Sequence, residues 1–462
     1  MPEMLSGNII NHFEYLLESG NETATREYLD HQNISDVAEL INHFPDQEAY
    51  IITHMKTNRA ANVFKILDLA EQKKIIHELP PFKTAELLNA LSPDDRTDFL
   101  EELPSNAVRE LIKLLDPEER KTTLSLLGYP EDSIGRLMTP DYVWVYPHNT
   151  VEEVFATIRK YGKDSETINV IYVINENGEL QDDIRIRDFI LNPPNKKVSD
   201  LMDNRVTSLN AYDDQETASE VYKMENRVAL PVVSNSNKLL GIVTIDDILW
   251  VAEEEFSEDM QKMGGTEALD QPYLETPILK LFKKRITWLV VLFLGEMLTA
   301  TAMKYFEAEI AKAVVLVLFV PLIISSGGNS GSQASTLIIQ AMAVGEISIR
   351  DWWRVMRREI ISGLLLGTVL GLIGFLRVVV WSQIFPDVYG AHNVMVALVV
   401  GISLLGVVIW GTLSGSMLPI FLKKLGADPA VSSAPFVATL VDVTGLVIYF
   451  GTALIFLKGL LL

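Results

Sequence analysis

The chain has 462 residues, with 61 Asp and Glu against 39 Lys and Arg, a net charge of −22, and no cysteine. Residues 1–280 carry 52 acidic and 26 basic side chains, net −26, whereas residues 281–462 carry 9 and 13, net +4. The acidic part is a poor partner for nucleic acid or anionic lipid and a good one for cations. The missing cysteines exclude disulfides and thiolate metal sites.

The start, Met1 to Asn8, has neither a basic n-region nor a long apolar run. No cleaved signal is therefore expected, and the N-terminus is expected to stay in the cytosol. Residues 66–126 hold a repeat of period 24. Asp68-Leu-Ala-Glu71, Ser92-Pro-Asp-Asp95-Arg96 and Asp116-Pro-Glu-Glu119-Arg120 are one helix start written three times, each with an N-cap residue and an acid three positions on. Pro93 and Pro117 fall at the first helical position, where a missing N–H costs nothing. Helix pairs at a short fixed period build a solenoid, so residues 1–130 are expected to form an all-α superhelical domain.

A second repeat, of period 64, follows: Leu137-Met138 recurs as Leu201-Met202. After each come a β-rich run, a helix, a hydrophobic strand, a turn, a further strand and a helix. The second copy ends Gly241-Ile-Val-Thr244-Ile-Asp-Asp247-Ile. Residues 131–250 thus resemble a tandem pair of α/β CBS domains. The resemblance implies ATP or another adenine nucleotide as a ligand, with Thr244 and Asp247 on the ribose. The first copy departs, because Gln181-Asp-Asp-Ile-Arg-Ile-Arg stands where the strand glycine is expected. Residues 251–280 continue as an acidic amphipathic connecting helix with Glu253, Glu254, Glu255, Glu258 and Asp259.

Five apolar segments, about 286–303, 313–342, 360–380, 393–422 and 431–457, approach or exceed the ~20 residues that cross a bilayer. Basic clusters at Lys283–Arg285, Arg350–Arg358 and Lys423–Lys424 flank the start of span 1, the 2–3 loop and the end of span 4. The positive-inside rule puts all three in the cytoplasm and the C-terminus outside. Span 2 carries a polar, glycine-rich stretch from Pro321 through Ser325, Gly327, Gly328, Asn329 and Gln333. Packing through small residues explains the glycines and serines but not Asn329 and Gln333. Loosened backbone there would free carbonyls for a cation. Asp442 in span 5 and Asn329 both lie roughly 18–20 Å from the cytoplasmic edge, at 1.5 Å per residue. Mg²⁺ suits one or two carboxylates plus water and carbonyl oxygens. The ion site is therefore expected at Asp442, Asn329, Gly328, Gly327 and Pro321. Glu296 in span 1 is a further intramembrane acid; lining the path, taking a proton and hydrogen-bonding to Thr299 or a neighbouring helix are all open to it.

The whole arrangement resembles the MgtE family of bacterial magnesium channels. The resemblance rests on Pro321…Gly327-Gly-Asn329-x-Gly331-x-Gln333, on Asp428-Pro-Ala…Ser433-x-Pro435…Asp442-x-x-Gly445, and on Gly135-Arg-Leu-Met-Thr-Pro-Asp-Tyr142. It implies a multidomain membrane protein with a five-helix transmembrane domain at 281–462, working as a homodimer with a pore lined by spans 2 and 5. It implies further that cytosolic Mg²⁺ bridges acidic surfaces and closes the pore through the connecting helix. Asp95, Asp214, Glu216, Asp246, Asp247, Glu255, Glu258 and Asp259 are the expected regulatory metal ligands. Trp250 stands where another acid is expected. The expected function is a Mg²⁺-selective, Mg²⁺-gated channel in the cell membrane, without enzyme chemistry. The alternatives are a proton-coupled divalent-metal transporter using Glu296 and Asp442, and, more remotely, a membrane-anchored nucleotide sensor.

Overall fold

The computed structural model describes residues 2–225, 227–269, 273–274, 276–385 and 392–458. The C-terminal Leu462, expected outside the membrane, lies beyond the described residues. The chain forms two compact units, Met1–Glu253 and Glu254–Leu462.

Unit 1 opens with short helices from Pro2 to Leu126. The period of 24 is a pair of helices. Thr57–Phe64 is followed 24 residues on by Pro81–Ala90, and Leu69–Glu78, Pro93–Glu101 and Pro117–Leu126 start at the same interval. Helices two apart in sequence pack together, over a core that includes Leu40, Phe64, Leu88 and Phe99. The expected N-caps Asp68, Ser92 and Asp116 precede their helices, but none makes a side-chain capping bond. The Ser92 hydroxyl donates to Asp95 instead. The repeat's arginine supplies the missing closure. Arg96 is fully buried and donates to the carbonyls of Leu88 (3.1 Å) and Leu91 (3.3 Å), at the C-terminus of the helix that precedes its own. Arg120, 24 residues on, donates to the carbonyls of Ile112 (3.0 Å), Lys113 (2.9 Å) and Leu115 (2.9 Å). Helix C-termini leave such carbonyls open, so a buried guanidinium with a fork of donors is satisfied there.

Two three-stranded sheets follow. Strands β1 (Tyr142–Val145), β2 (Thr167–Ile174) and β3 (Leu180–Arg185) form one, in the order β1-β2-β3. Strands β4 (Leu209–Asn210), β5 (Ala229–Val233) and β6 (Leu239–Thr244) form the other, in the order β4-β5-β6. In both, the first pair is parallel and the second antiparallel. Tyr172 and Ile174 of β2 share a core with Ala229, Val233 and Ile242 of the second sheet. The departure in the first copy has a structural reason. Gly241 pairs with Val232 as Asp182 pairs with Val173, so the two occupy equivalent places. A Cβ on Gly241 would lie 2.7 Å from the Thr139 carbonyl, because the lead-in strand runs flush against β6. In the first copy the buried Asp182 carboxylate accepts from the N–H groups of Asp203 (2.8 Å) and Asn204 (3.0 Å). Gly241 makes room for a neighbouring backbone, whereas Asp182 reaches out to one.

Among the described residues, unit 2 contains five helices long and apolar enough to span a membrane: Ile278–Tyr305, Val314–Ala343, Ile349–Ile384, Asn393–Lys424 and Ala434–Leu457. Spans 1 and 3 begin earlier than the apolar segments, because their helices run on through the basic flanks. The expected break in span 2 is displaced. Val314–Phe319 is a 3-10 turn, and an unbroken α-helix runs from Val320 to Ala343 through the whole polar stretch. Pro321 sits in the first turn, where it leaves the helical ladder intact. The carbonyl of Leu316, in the 3-10 turn, accepts from the Tyr449 hydroxyl at 2.8 Å.

Small residues set how closely the spans approach. Gly363, Gly367, Gly371 and Gly374 of span 3 meet Ile409, Leu405, Gly401 and Leu404 of span 4. Gly411 and Gly415 of span 4 meet the carbonyls of Gly327 and Gly331 of span 2, and a Cβ on Gly415 would lie 2.1 Å from the Gly331 oxygen. With lipid on all sides there is little hydrophobic drive between helices, so this close packing carries the association. Gly415→Ala is therefore expected to cost about 1–3 kcal/mol, lowering the thermal unfolding midpoint of the detergent-solubilised protein. Gly451→Ala, where nothing lies within 4 Å, serves as the silent control. Equal midpoints for the two variants would refute the backbone contact.

Candidate functional site: an intramembrane carboxyl pair and an acidic junction

Span 2 divides its polar residues between two faces. Gly327, Gly331 and Ser335 are buried; Ser335 donates to the Ser432 carbonyl at 2.8 Å, and Ser332 to that of Ala434 at 3.1 Å. These residues hold the span against its neighbours. Ser325, Asn329, Gln333, Thr336 and Gln340 are exposed and recur every three or four residues, so they form one polar row. Gly328 links that row to span 5, since its Cβ position lies 3.8 Å from Asp442 Oδ1. Asp442 and the polar stretch thus stand at one height along their two helices. Gly327, by contrast, is wedged against Val407 and Val441 and faces no open path.

The Glu296 side chain lies within hydrogen-bonding reach of Asp442. Span 1 packs on span 5 here, with the Gly295 Cβ position 3.0 Å from Thr439 Cγ2 and Trp288 Nε1 donating to Ser433 Oγ at 3.2 Å. The Thr299 hydroxyl makes no hydrogen bond, so Glu296 is not held by Thr299. Two carboxyl groups so close in a membrane need a cation or a proton between them.

The acids expected to be regulatory fall into three groups. Asp95, Asp246 and Asp247 meet in unit 1, where the helical repeat faces the second sheet. Lys65 Nζ stands among them, 3.3 Å from Asp95 and 3.9 Å from Asp246. Burial opposes its charge, but Asp95, Glu166 and Asp246 together hold its pKa above the ordinary lysine range. Burial, reinforced by Asp246 and Asp95, pushes Asp247 up to about 7. Asp94 is almost wholly buried, and burial plus Asp247 and Asp95 raise it well above the carboxylate range. Asp214 and Glu216 are exposed at the start of the helix Gln215–Glu225, where Asp214 accepts from the Glu216 N–H at 2.9 Å. Glu255, Glu258 and Asp259 lie on the helix Ile245–Met263, and Glu258 pairs with Lys262. Lys262 also reaches Asp428 at 2.8 Å, in the turn before span 5. Among the described residues, no three His, Asp or Glu side chains converge closely enough to hold a metal ion. Trp250 is exposed.

Sequence reasoning missed Lys65, Asp94, Glu166 and the pair Lys262–Asp428. The tandem acids Asp94-Asp95 were a signal for one of them; nothing local marks the others. At the expected nucleotide ligands, the Thr244 hydroxyl donates to Asp246 (2.5 Å) and Asp247 (2.7 Å), and Asp247 also lies at the junction with Asp95.

Fold and site together define a multidomain membrane protein of the divalent-cation transporter class. Family models match as a divalent cation transporter over residues 320–452, an MgtE intracellular N domain over 32–132, and CBS domains over 134–192 and 198–254. The magnesium transporter MgtE of Thermus thermophilus is 37% identical over 96% of this chain and 97% of its own length. That of Bacillus subtilis is 32% identical over 96% of each. A crystal structure of the cytosolic domain of the Mg²⁺ channel MgtE in complex with ATP is 34% identical, with a TM-score of 0.51, and covers 52% of this chain and 99% of that one. The chain belongs to the MgtE family.

Asp141, beside the junction, is raised to about 6 by burial and then by Glu119, with Arg96 opposing. A carboxyl raised in the folded state stabilises fully below its unfolded pKa of about 4 and loses that contribution as pH rises through about 6. In chelator, Asp141→Asn should match the parent at pH 4 and exceed it by about 1 kcal/mol at pH 8, after allowing for solvent screening. Denaturant unfolding at the two pH values measures this, and a pH-independent difference would contradict it.

Proposed function

We propose that this protein is a Mg²⁺-selective, Mg²⁺-gated channel that imports magnesium across the cell membrane as a homodimer, with its N-terminus in the cytosol. The observation that carries the proposal is the exposed polar row of span 2 at the level of Asp442. Polar side chains in a membrane helix are costly against lipid, so such a row belongs against water or a second subunit. A two-fold axis beside it would bring two copies of Asp442 together and supply −2 to a divalent ion. Asn329 and water would complete an oxygen shell suited to Mg²⁺, which keeps most of its water. Gly328 gives the approach its room, while Gly327 and Pro321 serve helix packing and helix start. Residues 1–130, 131–250, 251–280 and 281–462 act in this reading as helical domain, CBS pair, connecting segment and pore; the expected connecting helix ends at Met263 rather than running to 280.

A proton-coupled transporter is the second reading, and Glu296 beside Asp442 is the observation that favours it. Flux that persists in liposomes without a proton gradient would decide for the channel. Asp442→Asn should remove most Mg²⁺ uptake, at least tenfold, while the oligomer still assembles; Asn329→Ala should have a smaller effect on selectivity or conductance. Parental uptake by the Asp442 variant would overturn the site.

For gating, the acid surplus supplies the argument. Asp95, Asp246, Asp247 and Asp214, Glu216, Glu255, Glu258, Asp259 repel one another until cations collect, and Mg²⁺ bound preferentially to the compact form shifts the population to a closed pore. Neutralising Glu255, Glu258 and Asp259 together should leave channels open at millimolar-scale internal Mg²⁺. Patch-clamp open probability tests this, and an unchanged Mg²⁺ dependence would place the sensor elsewhere.

A further inference from the structure

The third span carries a basic row whose direction is set by its packing. The helix Trp352–Ile384 buries Val355, Gly363, Gly367, Gly371, Gly374 and Val378. On the opposite side Ile361, Leu365, Leu372 and Leu376 are exposed. At 100° per residue, Arg354 and Arg358 fall in the same sector of about 60° as those four aliphatic residues. Both arginines are exposed, and neither forms an ion pair among the described residues. Asp351 is engaged by the Ser348 N–H (3.0 Å) and hydroxyl (2.7 Å), and Glu359 is half-buried beside Arg358. Exposed Trp352 and Trp353 mark the same level as a membrane interface.

An arginine pair at i and i+4 is mutually repulsive unless an anion lies between. Here Arg358 and Arg354 sit about 4.5 Å and about 10.5 Å of helix rise below Ile361, the first aliphatic residue of their sector. We infer that this face is a binding site for an anionic phospholipid, with Arg354 and Arg358 on the headgroup phosphate and Ile361 and Leu365 along the acyl chain. The guanidinium fork matches phosphate oxygens, and the aliphatic row continues where the chain of the same lipid must run. The acid surplus of residues 1–280 does not oppose this, because residues 281–462 are net positive.

Native mass spectrometry of the full-length protein in detergent, with equal phosphatidylglycerol and phosphatidylcholine, tests the inference. The parent should retain phosphatidylglycerol in preference by roughly tenfold to thirtyfold, the size two basic side chains near an anionic surface supply. Arg354→Gln with Arg358→Gln should bring the ratio near parity, and each single variant should lose about fivefold if the double variant does not fold. Lys423→Gln with Lys424→Gln, at the other basic flank, should leave the ratio unchanged. An unaltered ratio in the arginine variants, or an equal loss in the lysine variant, would overturn the site. No preference in the parent would do the same and would point to the chain's own acidic surface as the occupant. The readout is lipid retention, so it stands apart from any outcome for magnesium flux.

Discussion

A carboxylate held at mid-membrane has to be matched by a cation, a proton or water, because lipid offers it nothing. Asp442 meets that constraint through its neighbours. Span 5 presents it to Gly328 on span 2, and span 1 brings Glu296 to it. Close helix approach makes this possible: Gly411 and Gly415 let span 4 lie on the carbonyls of Gly327 and Gly331, which turns the remaining polar side chains of span 2 outward. Close packing and the polar row are therefore two faces of one helix. A bulkier residue on the packed face would rotate or displace the polar one.

Unit 1 follows a parallel logic in water. Its acids are gathered where the helical repeat meets the second sheet, and the Lys65 ammonium already occupies part of that space. A protein-borne cation there lowers the repulsion that a divalent ion would otherwise have to relieve alone. Asp94 and Asp247 show how much remains, since burial and mutual repulsion raise both. The connecting helix ends on a similar arrangement, with Lys262 between Glu258 and Asp428. Asp428 thereby ties that helix to the turn from which span 5 rises.

Much of this architecture was written in local patterns. Period 24 announced the helix pairs, because capping and proline preferences act over three or four residues. Hydropathy announced five spans, because lipid leaves an unpaired backbone no alternative to a helix. The level of Asp442 against span 2 followed from helix rise alone. The sequence also distinguished the residues of span 2 that packing explains from Asn329 and Gln333, which face outward in the structure.

Contacts between distant segments were decided only by the tertiary structure. Glycine and proline suggested a broken span 2, yet the interior stayed helical because neighbouring small residues satisfied it by packing, and the irregular turn fell before Pro321. Thr244 and Asp247 had the spacing of nucleotide ligands, and only the fold shows that Asp247 also lies beside Asp94 and Asp95. Nothing local marked Lys65 or Lys262, and only pairing with the distant Asp95, Asp246 and Asp428 shows them neutralising acids. Local periodicity follows from the backbone and is legible in one chain segment. Which side chains share a site depends on how the segments stack, and no single segment contains that.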